Sequence, residues 1–202
     1  MTAVDPRVVI LAAGASTRLG EPKALVDLGG RCALRRLVAA AGGNEPALLV
    51  TGAHHREIAA AGLPGLELLE NPAWADGRTG GLSLAAAHLP GRDLLIAPID
   101  VPMVPSEVFV ALRAEWHRAQ RPPRGWLAPS TGAAPGRPGH PIVVGRELAA
   151  KLGGFPPSAP LRNLRDLAQP LWMVDTGCAE IHDDLDTPED LAALRARLRS
   201  RL

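Results

Sequence analysis

The feature that most constrains the fold is a continuous apolar run near the start of the chain, Val8-Val9-Ile10-Leu11, which ends in Ala12-Ala13-Gly14. A β-branched run without polar alternation is typical of a strand buried on both faces, as in the centre of a parallel sheet. Similar short apolar runs recur along the chain and alternate with segments of helical periodicity. We therefore predict an α/β fold in three layers, with helices on both faces of a mostly parallel sheet.

The predicted elements follow from this alternation. The predicted strands cover residues 8–11, 48–50, 66–69, 94–97, 142–144 and 171–174. The predicted helices cover residues 33–41, 58–61, 82–89, 105–119, 147–152 and 161–167, and a last helix extends from Thr187-Pro188-Glu189-Asp190 to Leu202. That start combines a capping residue, a first-turn proline and two acidic residues. Residues 121–141 are rich in Pro, Gly and Arg and lack periodicity; they form either a linker or a functional loop, and we favour a loop.

Length and charge restrict the classes of function. A chain of 202 residues fits a single domain over residues 1–202. Its 22 basic and 21 acidic residues leave a net charge of +1, which predicts no general attraction to nucleic acid or membranes. Without a membrane-spanning run or a signal segment, we expect a cytoplasmic protein. Cys32 and Cys178 are far apart in sequence and are best interpreted as partly buried apolar residues in a reducing compartment.

A glycine-containing loop with two cationic residues follows the first strand directly, in the sequence LAAGASTRLGEPK at residues 11–23. In α/β sheets, ligands bind beyond the carboxyl ends of the strands, where backbone N–H groups can approach a phosphate. Gly14 and Gly20 permit that approach, and Arg18 and Lys23 supply positive charge. The spacing matches neither the dinucleotide fingerprint nor the Walker loop. The alternative is a tight turn with surface charges.

Carboxylates stand at two further positions. Asp100 follows the predicted fourth strand, and Asp183, Asp184 and Asp186 precede the last helix. A lone Asp after a strand is usually a turn former or a helix cap, and Asp186 or Thr187 can also cap the last helix. Asp184 and Asp186 share one side of an extended segment, so the spacing does not decide between them.

Together these segments resemble the signature of nucleotidyltransferases with a glycosyltransferase-A-like fold, in particular the molybdenum cofactor cytidylyltransferases and guanylyltransferases. The resemblance covers nearly the whole chain. It implies a Rossmann-like domain that transfers a nucleoside monophosphate to a phosphorylated acceptor with Mg²⁺. Lys23, Arg18 and Asp100 would be catalytic, and Asp100 with Asp186 or Asp184 would hold the metal. The nucleotide-binding residues implied by the resemblance are Leu11, Ala12, Ala13, Gly14, Ser16, Arg18, Lys23, Gly80 and Ser83.

The resemblance also covers the acceptor side. Residues 136–141 are similar to the family's Gly-His-Pro element, which implies that Arg137 and His140 receive the acceptor phosphate. Residues 71–77 are similar to the segment that leads into a nucleotide-contacting loop, but residues 78–84 depart from the serine-rich sequence usual there. We assign Trp74 to packing, because only 3% of the residues are aromatic and the core needs them.

The expected substrates are CTP and molybdopterin. Guanylyl-transferring relatives usually carry a second glycine at the position of Ala13, so the resemblance favours a pyrimidine donor. The alternatives are guanylyl transfer, nucleotidyl transfer to a sugar phosphate, and a non-catalytic protein that binds and delivers a nucleotide or cofactor. We expect a monomer or weak oligomer, no nucleic-acid or membrane partner, and a molybdoenzyme as the possible protein partner.

Overall fold

The computed structural model describes residues 4–132 and 136–200. Its strands are β1 (Arg7–Ala12), β2 (Ala47–Thr51), β3 (Leu66–Glu70), β4 (Leu94–Pro98), β5 (Trp126–Thr131), β6 (Arg137–Pro138), β7 (Ile142–Val144) and β8 (Leu171–Asp175). Its α-helices are α1 (Ala33–Ala41), α2 (His55–Ala60), α3 (Arg78–His88), α4 (Ser106–Arg118), α5 (Arg146–Ala149), α6 (Arg162–Arg165) and α7 (Pro188–Arg199). Leu202, the predicted last apolar residue of the C-terminal helix, lies outside the described residues.

The eight strands form one mixed sheet in the order β3-β2-β1-β4-β7-β5-β6, and β8 pairs with β5. Strands β1 to β4 pair in parallel with one another, as β8 does with β5, whereas β7 pairs antiparallel with both β4 and β5, and β6 pairs antiparallel with β5. The predicted α/β class and the mostly parallel sheet are confirmed. The first strand lies between β2 and β4, so the loop that follows it emerges near the middle of the sheet.

Residues of β1 alternate between two apolar cores. Val8 and Ile10 pack on one face with α1, α4 and α7, and Val9 packs on the other face with α3 and α5. A strand covered on both sides by apolar helix faces requires the continuous apolar run seen in the sequence. The three predicted layers are therefore present. Among the described residues, no helix is long and apolar enough to cross a membrane.

The prediction of a loop over residues 121–141 is wrong in its centre, because β5 occupies Trp126–Thr131 and is largely buried. The proline at 129 obscured the strand pattern. The Trp126 N–H donates to Pro170 on the β8 side, so by alternation the missing N–H of Pro129 faces the opposite edge of β5. Along that edge, residues 126–127 of β5 pair with β7 and residues 130–131 of β5 pair with β6. Pro129 lies between these two paired stretches.

Two helices begin several residues earlier than predicted. Helix α2 starts at His55 rather than Ile58, and α3 starts at Arg78 rather than Leu82. The glycines at 80 and 81 weaken the apolar periodicity of the first turn of α3, which hid its start. Gly77 precedes the helix with φ of 138°, a backbone conformation that favours glycine. The shift makes Arg78 the first residue of α3, at the edge of the site described below.

Candidate active site

A cavity of about 290 Å³ opens at the carboxyl ends of the central parallel strands. Strand ends of an α/β sheet are where ligands of this architecture bind, because loops and helix starts converge there. The described residues that line it are Leu11, Ala12, Ala13, Gly14, Ser16, Thr17, Arg18, Pro22, Lys23, Ala24, His54, Ile58, Asn71, Trp74, Gly77, Arg78, Gly81, Pro98, Ile99, Asp100 and Asp186. The first-strand loop and Asp100 thus meet in one cavity, as the sequence predicts.

The glycine loop is folded onto itself. Ser16 adopts a φ of 52°, and its carbonyl accepts hydrogen bonds from the N–H groups of Leu19 and Gly20. Its hydroxyl accepts a hydrogen bond from the Lys23 backbone N–H at 3.3 Å. A Cβ placed on Gly14 would meet no protein atom within 4 Å. Packing within the protein therefore does not demand glycine at 14, whereas a ligand that approaches the backbone would benefit from the missing side chain.

Five charged side chains form an alternating network along the cavity. Lys23 Nζ lies 2.8 Å from Asp100 Oδ1 and also contacts Asp186 Oδ1. The outer carboxylate oxygens are paired as well: Arg18 lies 2.6 Å from Asp186 Oδ2, and Arg78 lies 3.1 Å from Asp100 Oδ2. The side chain of Lys23 is only 11% exposed, while those of Arg18 and Arg78 are 69% and 64% exposed. The network carries one net positive charge and presents two largely exposed guanidinium groups to solvent.

Asp186 is held at the cavity by a backbone hydrogen bond of the residue before it, Leu185. The N–H of Leu185 donates to the carbonyl of Asp100 at 2.7 Å, and the Leu185 side chain is fully buried. The N–H of Asp186 donates at 3.0 Å to Asp190 Oδ2, which also accepts from the Thr187 N–H in the capping box of α7. These bonds hold the segment beside the end of β4. Capping of α7 by Thr187 and a site role for Asp186 therefore coexist.

The two late aspartates have opposite electrostatic environments. The hydrogen bond from Lys23 lowers the pKa of Asp186 below its usual value, and the charge of Arg18 contributes. Desolvation, followed by the charges of Asp186 and Asp100, raises the pKa of Asp184. Asp186 thus remains ionised in the cavity, whereas the described lining does not include Asp184. Of the two candidates that the sequence left open, the structure favours Asp186.

The pair formed by Asp100 and Asp186 fits a divalent cation. Both carboxylates direct an oxygen at one ammonium group, so two hard oxygen donors already converge on a positive charge. Residues 4–132 and 136–200 contain no group of three or more His, Cys, Asp or Glu side chains arranged for a metal ion. Of the two late aspartates between which the sequence did not decide, Asp186 lines the cavity together with Asp100. Two carboxylates suffice for Mg²⁺, which commonly keeps waters and substrate phosphates as its other ligands.

The structure does not bring Gly80 and Ser83 to this cavity. Because α3 begins at Arg78, residues 78 and 81 share one face of its first turns and line the cavity. Gly80 instead faces Pro157, whose Cβ would lie 3.0 Å from an added Cβ, and Ser83 lies near Gly153. We therefore correct the expectation that Gly80 and Ser83 contact the nucleotide. Their positions around the axis of α3 turn them toward Pro157 and Gly153, in the segment after α5, and not toward the cavity.

Arg137 and His140 lie outside the first cavity. His140 lines a second cavity of about 360 Å³, which also includes Leu11, Arg78 and Pro98. Burial, followed by the charge of Arg78, lowers the pKa of His140, so its imidazole is neutral at neutral pH. Arg137 is exposed on β6. Among the described residues, His140 lines the second cavity and Arg137 lines neither cavity, so the structure does not place the two side chains in one pocket. That they receive the acceptor phosphate stays a prediction from the sequence.

Several site residues were missed or misassigned from sequence. Trp74 is partly exposed and lines the first cavity, so its assignment to core packing is wrong. His54 Nε2 lies 3.0 Å from the carbonyl of Ala15 and supports the glycine loop. Asn71 is buried at the end of β3, and Arg78 begins α3. His54 and Asn71 each follow a parallel strand, and that position was the signal that could have identified them.

The fold and the site define a class of protein: an α/β domain with a glycine-containing loop, three cationic groups and two carboxylates at the carboxyl ends of the central strands. The family comparison agrees with this class. Residues 8–172 match the model of the MobA-like NTP transferase domain. This chain belongs to the MobA-like NTP transferase family and is a nucleotidyltransferase. No curated protein matches the sequence.

Solved structures show the same fold over almost the full chain. Rv0371c from Mycobacterium tuberculosis H37Rv is 25% identical with a TM-score of 0.76, and the match covers 97% of this chain and 100% of that one. Its manganese complex is 23% identical with a TM-score of 0.72, and the match covers 96% and 99%. Molybdopterin-guanine dinucleotide biosynthesis protein A from Archaeoglobus fulgidus is 17% identical with a TM-score of 0.74, and the match covers 97% and 100%.

Proposed function

We propose that this enzyme transfers CMP from CTP to the phosphate of a molybdopterin-type acceptor, releases pyrophosphate and requires Mg²⁺. The observation that carries the proposal is the position of Lys23 between Asp100 and Asp186, beside the glycine loop at the end of β1. A triphosphate placed along this loop would meet backbone N–H groups, Lys23 and the exposed Arg18 together.

Asp100 and Asp186 are the residues that would hold the cation. When bound, Mg²⁺ would neutralise charge on the phosphate oxygens around the reacting phosphorus. Support comes from the donor chemistry of the two carboxylates and from the manganese complex of Rv0371c, which has the same fold. Without the cation, the network has only one net positive charge to set against a triphosphate.

The reaction forms one bond and breaks one bond. An oxygen of the acceptor phosphate attacks the α-phosphorus of CTP, and the bond from that phosphorus to the bridging oxygen of the β-phosphate breaks. Pyrophosphate leaves with the electron pair. The second pKa of a phosphomonoester is about 6, so the attacking oxygen is already ionised near neutral pH and no general base is required. Lys23 and Arg18 would position the phosphates and stabilise the departing pyrophosphate.

The preference for a pyrimidine rests on Ala13. Ala13 lines the cavity, and its carbonyl accepts a hydrogen bond from Ala53 at 3.0 Å, so the backbone there is held in place. A methyl group on a held backbone reduces the space for a purine more than for cytosine. Trp74 and Asn71 line the same cavity, and we propose that the indole of Trp74 stacks on the base.

The acceptor is proposed from the family resemblance and from the name of the A. fulgidus protein, whose product contains molybdopterin and guanine. At 17% identity that likeness supports the fold, so guanylyl transfer remains an outcome that the experiment must distinguish. Transfer to a sugar phosphate and nucleotide binding without turnover are the other two outcomes.

The test is a pyrophosphate-release screen of the purified protein. CTP, UTP, GTP and ATP are each combined with molybdopterin, with several sugar phosphates and with no acceptor, in Mg²⁺ or in EDTA. We expect Mg²⁺-dependent release with CTP and molybdopterin, and release slower by about 10²-fold or more from Asp100→Ala. GTP as the best donor would replace the cytidylyl proposal, and a sugar phosphate as the best acceptor would replace molybdopterin. Nucleotide binding without release for any pair would contradict the catalytic proposal.

A further inference from the structure

The second cavity lies next to the first, and the two share lining residues. Leu11, Arg78 and Pro98 line both cavities, so a ligand in the second cavity would lie beside a nucleotide in the first. A volume of about 360 Å³ suits a small organic molecule. The two cavities are thus arranged as neighbouring sites for two reactants, with Arg78 at their boundary.

The charge of the second cavity differs from that of the first. No carboxylate is among the described residues that line it, and Arg78 is its one permanently charged residue. His140 is the other ionisable group, and it is neutral at neutral pH for the reasons given above. The remaining walls are mostly apolar, for example at Leu11, Pro98 and Leu161. This combination suits a ligand with one anionic group and a flat or apolar body.

Arg78 is available to bind an anion. Its side chain is 64% exposed and has one carboxylate partner, Asp100 Oδ2 at 3.1 Å. Its backbone, in contrast, is held firmly. An added Cβ on Gly77 would lie 2.3 Å from the Pro157 carbonyl oxygen, and the Thr79 hydroxyl donates to the Ala159 carbonyl at 2.6 Å. A guanidinium group on a fixed helix start can exchange Asp100 for a phosphate without movement of the backbone.

We propose that Arg78 binds the phosphate of the acceptor proposed above, with the ring body of that acceptor seated in the second cavity. This inference rests on the proposed nucleotidyl transfer and adds to it a phosphate-binding residue and the place of the acceptor. It gives Arg78 the role that the sequence assigned to Arg137 and His140. Polyhydroxylated sugar phosphates fit the apolar walls poorly, because their hydroxyl groups would lose water without gaining partners.

The test measures binding rather than turnover, so its result does not depend on the proposed reaction. Phenyl phosphate, phenol, inorganic phosphate and glucose 1-phosphate are titrated into the full-length protein by ligand-observed NMR, and CTP is titrated separately. The variants are Arg78→Met and Arg78→Lys. The matched control is Arg118→Met, since Arg118 is also exposed, at 75%, and also has one carboxylate partner, Glu115.

We expect phenyl phosphate to bind the parent protein more tightly than inorganic phosphate or glucose 1-phosphate. Arg78→Met should weaken phenyl phosphate binding by about tenfold or more, the scale of a lost charged hydrogen bond, and Arg78→Lys should recover part of it. Arg118→Met should leave it unchanged. The proposal is overturned if phenyl phosphate does not bind, if binding is insensitive to Arg78, or if CTP binding falls as much as phenyl phosphate binding. Failure of the pyrophosphate-release screen with intact Arg78-dependent binding would contradict the proposed reaction alone.

Discussion

Lys23 Nζ lies 2.8 Å from Asp100 Oδ1, although the two residues are 77 positions apart in the chain. The contact joins the glycine loop after β1 to the end of β4, and the same ammonium group also contacts Asp186 before α7. Three separate segments therefore meet at one charge. Any cation or phosphate that enters the cavity must rearrange these pairs, which makes Lys23, Asp100 and Asp186 the most informative positions for mutation.

Replacing Asp100 by alanine should lower turnover by about 10²-fold or more, the scale for loss of a major electrostatic stabiliser. The fold should persist, because the side chain is partly exposed at a strand end and does not pack in the core. Steady-state rates at saturating Mg²⁺ and thermal unfolding check both statements. Asp166→Ala is the matched control, since Asp166 is an exposed carboxylate paired with Arg165. Parent-like activity of Asp100→Ala would remove Asp100 from the cation site.

Replacing Lys23 by alanine should impair use of the nucleoside triphosphate more than use of the acceptor. Lys23 belongs to the donor loop, and its ammonium group is the most buried cation of the network. The KM values for the two substrates, each measured at saturation with the other, separate these effects. A change confined to the acceptor parameters would require a different role for the loop.

The sequence predicted the site residues that come soon after a single strand, such as Lys23 after β1 and Asp100 after β4. The apolar run of β1 and the one before Asp100 are each local signals, and parallel neighbours bring their carboxyl ends together. Lys23 and Asp100 could therefore be assigned to one site without a structure. The confirmed α/β class follows from the same runs.

The parts that failed depend on contacts between distant segments. The choice between Asp186 and Asp184 requires the hydrogen bond from Leu185 to the Asp100 carbonyl, which spacing cannot reveal. Which residues of α3 face the cavity depends on where the helix starts. The glycines at 80 and 81 concealed its start at Arg78. Strand β5 was not predicted because it contains Pro129. The proline is tolerated because its position lies between the residues of β5 that pair with β7 and those that pair with β6, where no N–H is needed.

Replacing Ala13 by glycine should shift donor preference toward purines. Removal of the methyl group widens the cavity where we place the base, so the ratio of kcat/KM for GTP to that for CTP should rise by several-fold. Competition among equal concentrations of CTP, UTP, GTP and ATP measures the ratio directly. Ala15→Gly, in the same loop but outside the cavity lining, is the control. If the parent enzyme already prefers GTP, Ala13 has no role in excluding purines.

Replacing Thr187 by alanine should reduce the free energy of unfolding by about 1 kcal/mol, because its side chain accepts a hydrogen bond from the N–H of Asp190 at the start of α7. Denaturant unfolding provides the measurement. Ser106→Ala is the control, since Ser106 is the first residue of α4 and donates to Glu107 without capping the helix. Equal losses in the two variants would show that the capping box contributes nothing specific.

We propose that the α-phosphoryl group of the triphosphate is transferred at the site of Lys23, Asp100 and Asp186. The most direct measurement is the fate of label from [α-³²P]CTP and [γ-³²P]CTP incubated with molybdopterin and Mg²⁺. We predict that the α-label enters the acceptor product and the γ-label appears in pyrophosphate, and that Asp186→Asn strongly reduces both. Transfer of the γ-label to the acceptor, or release of the γ-label as inorganic phosphate without pyrophosphate, would contradict the proposed transfer of the α-phosphoryl group.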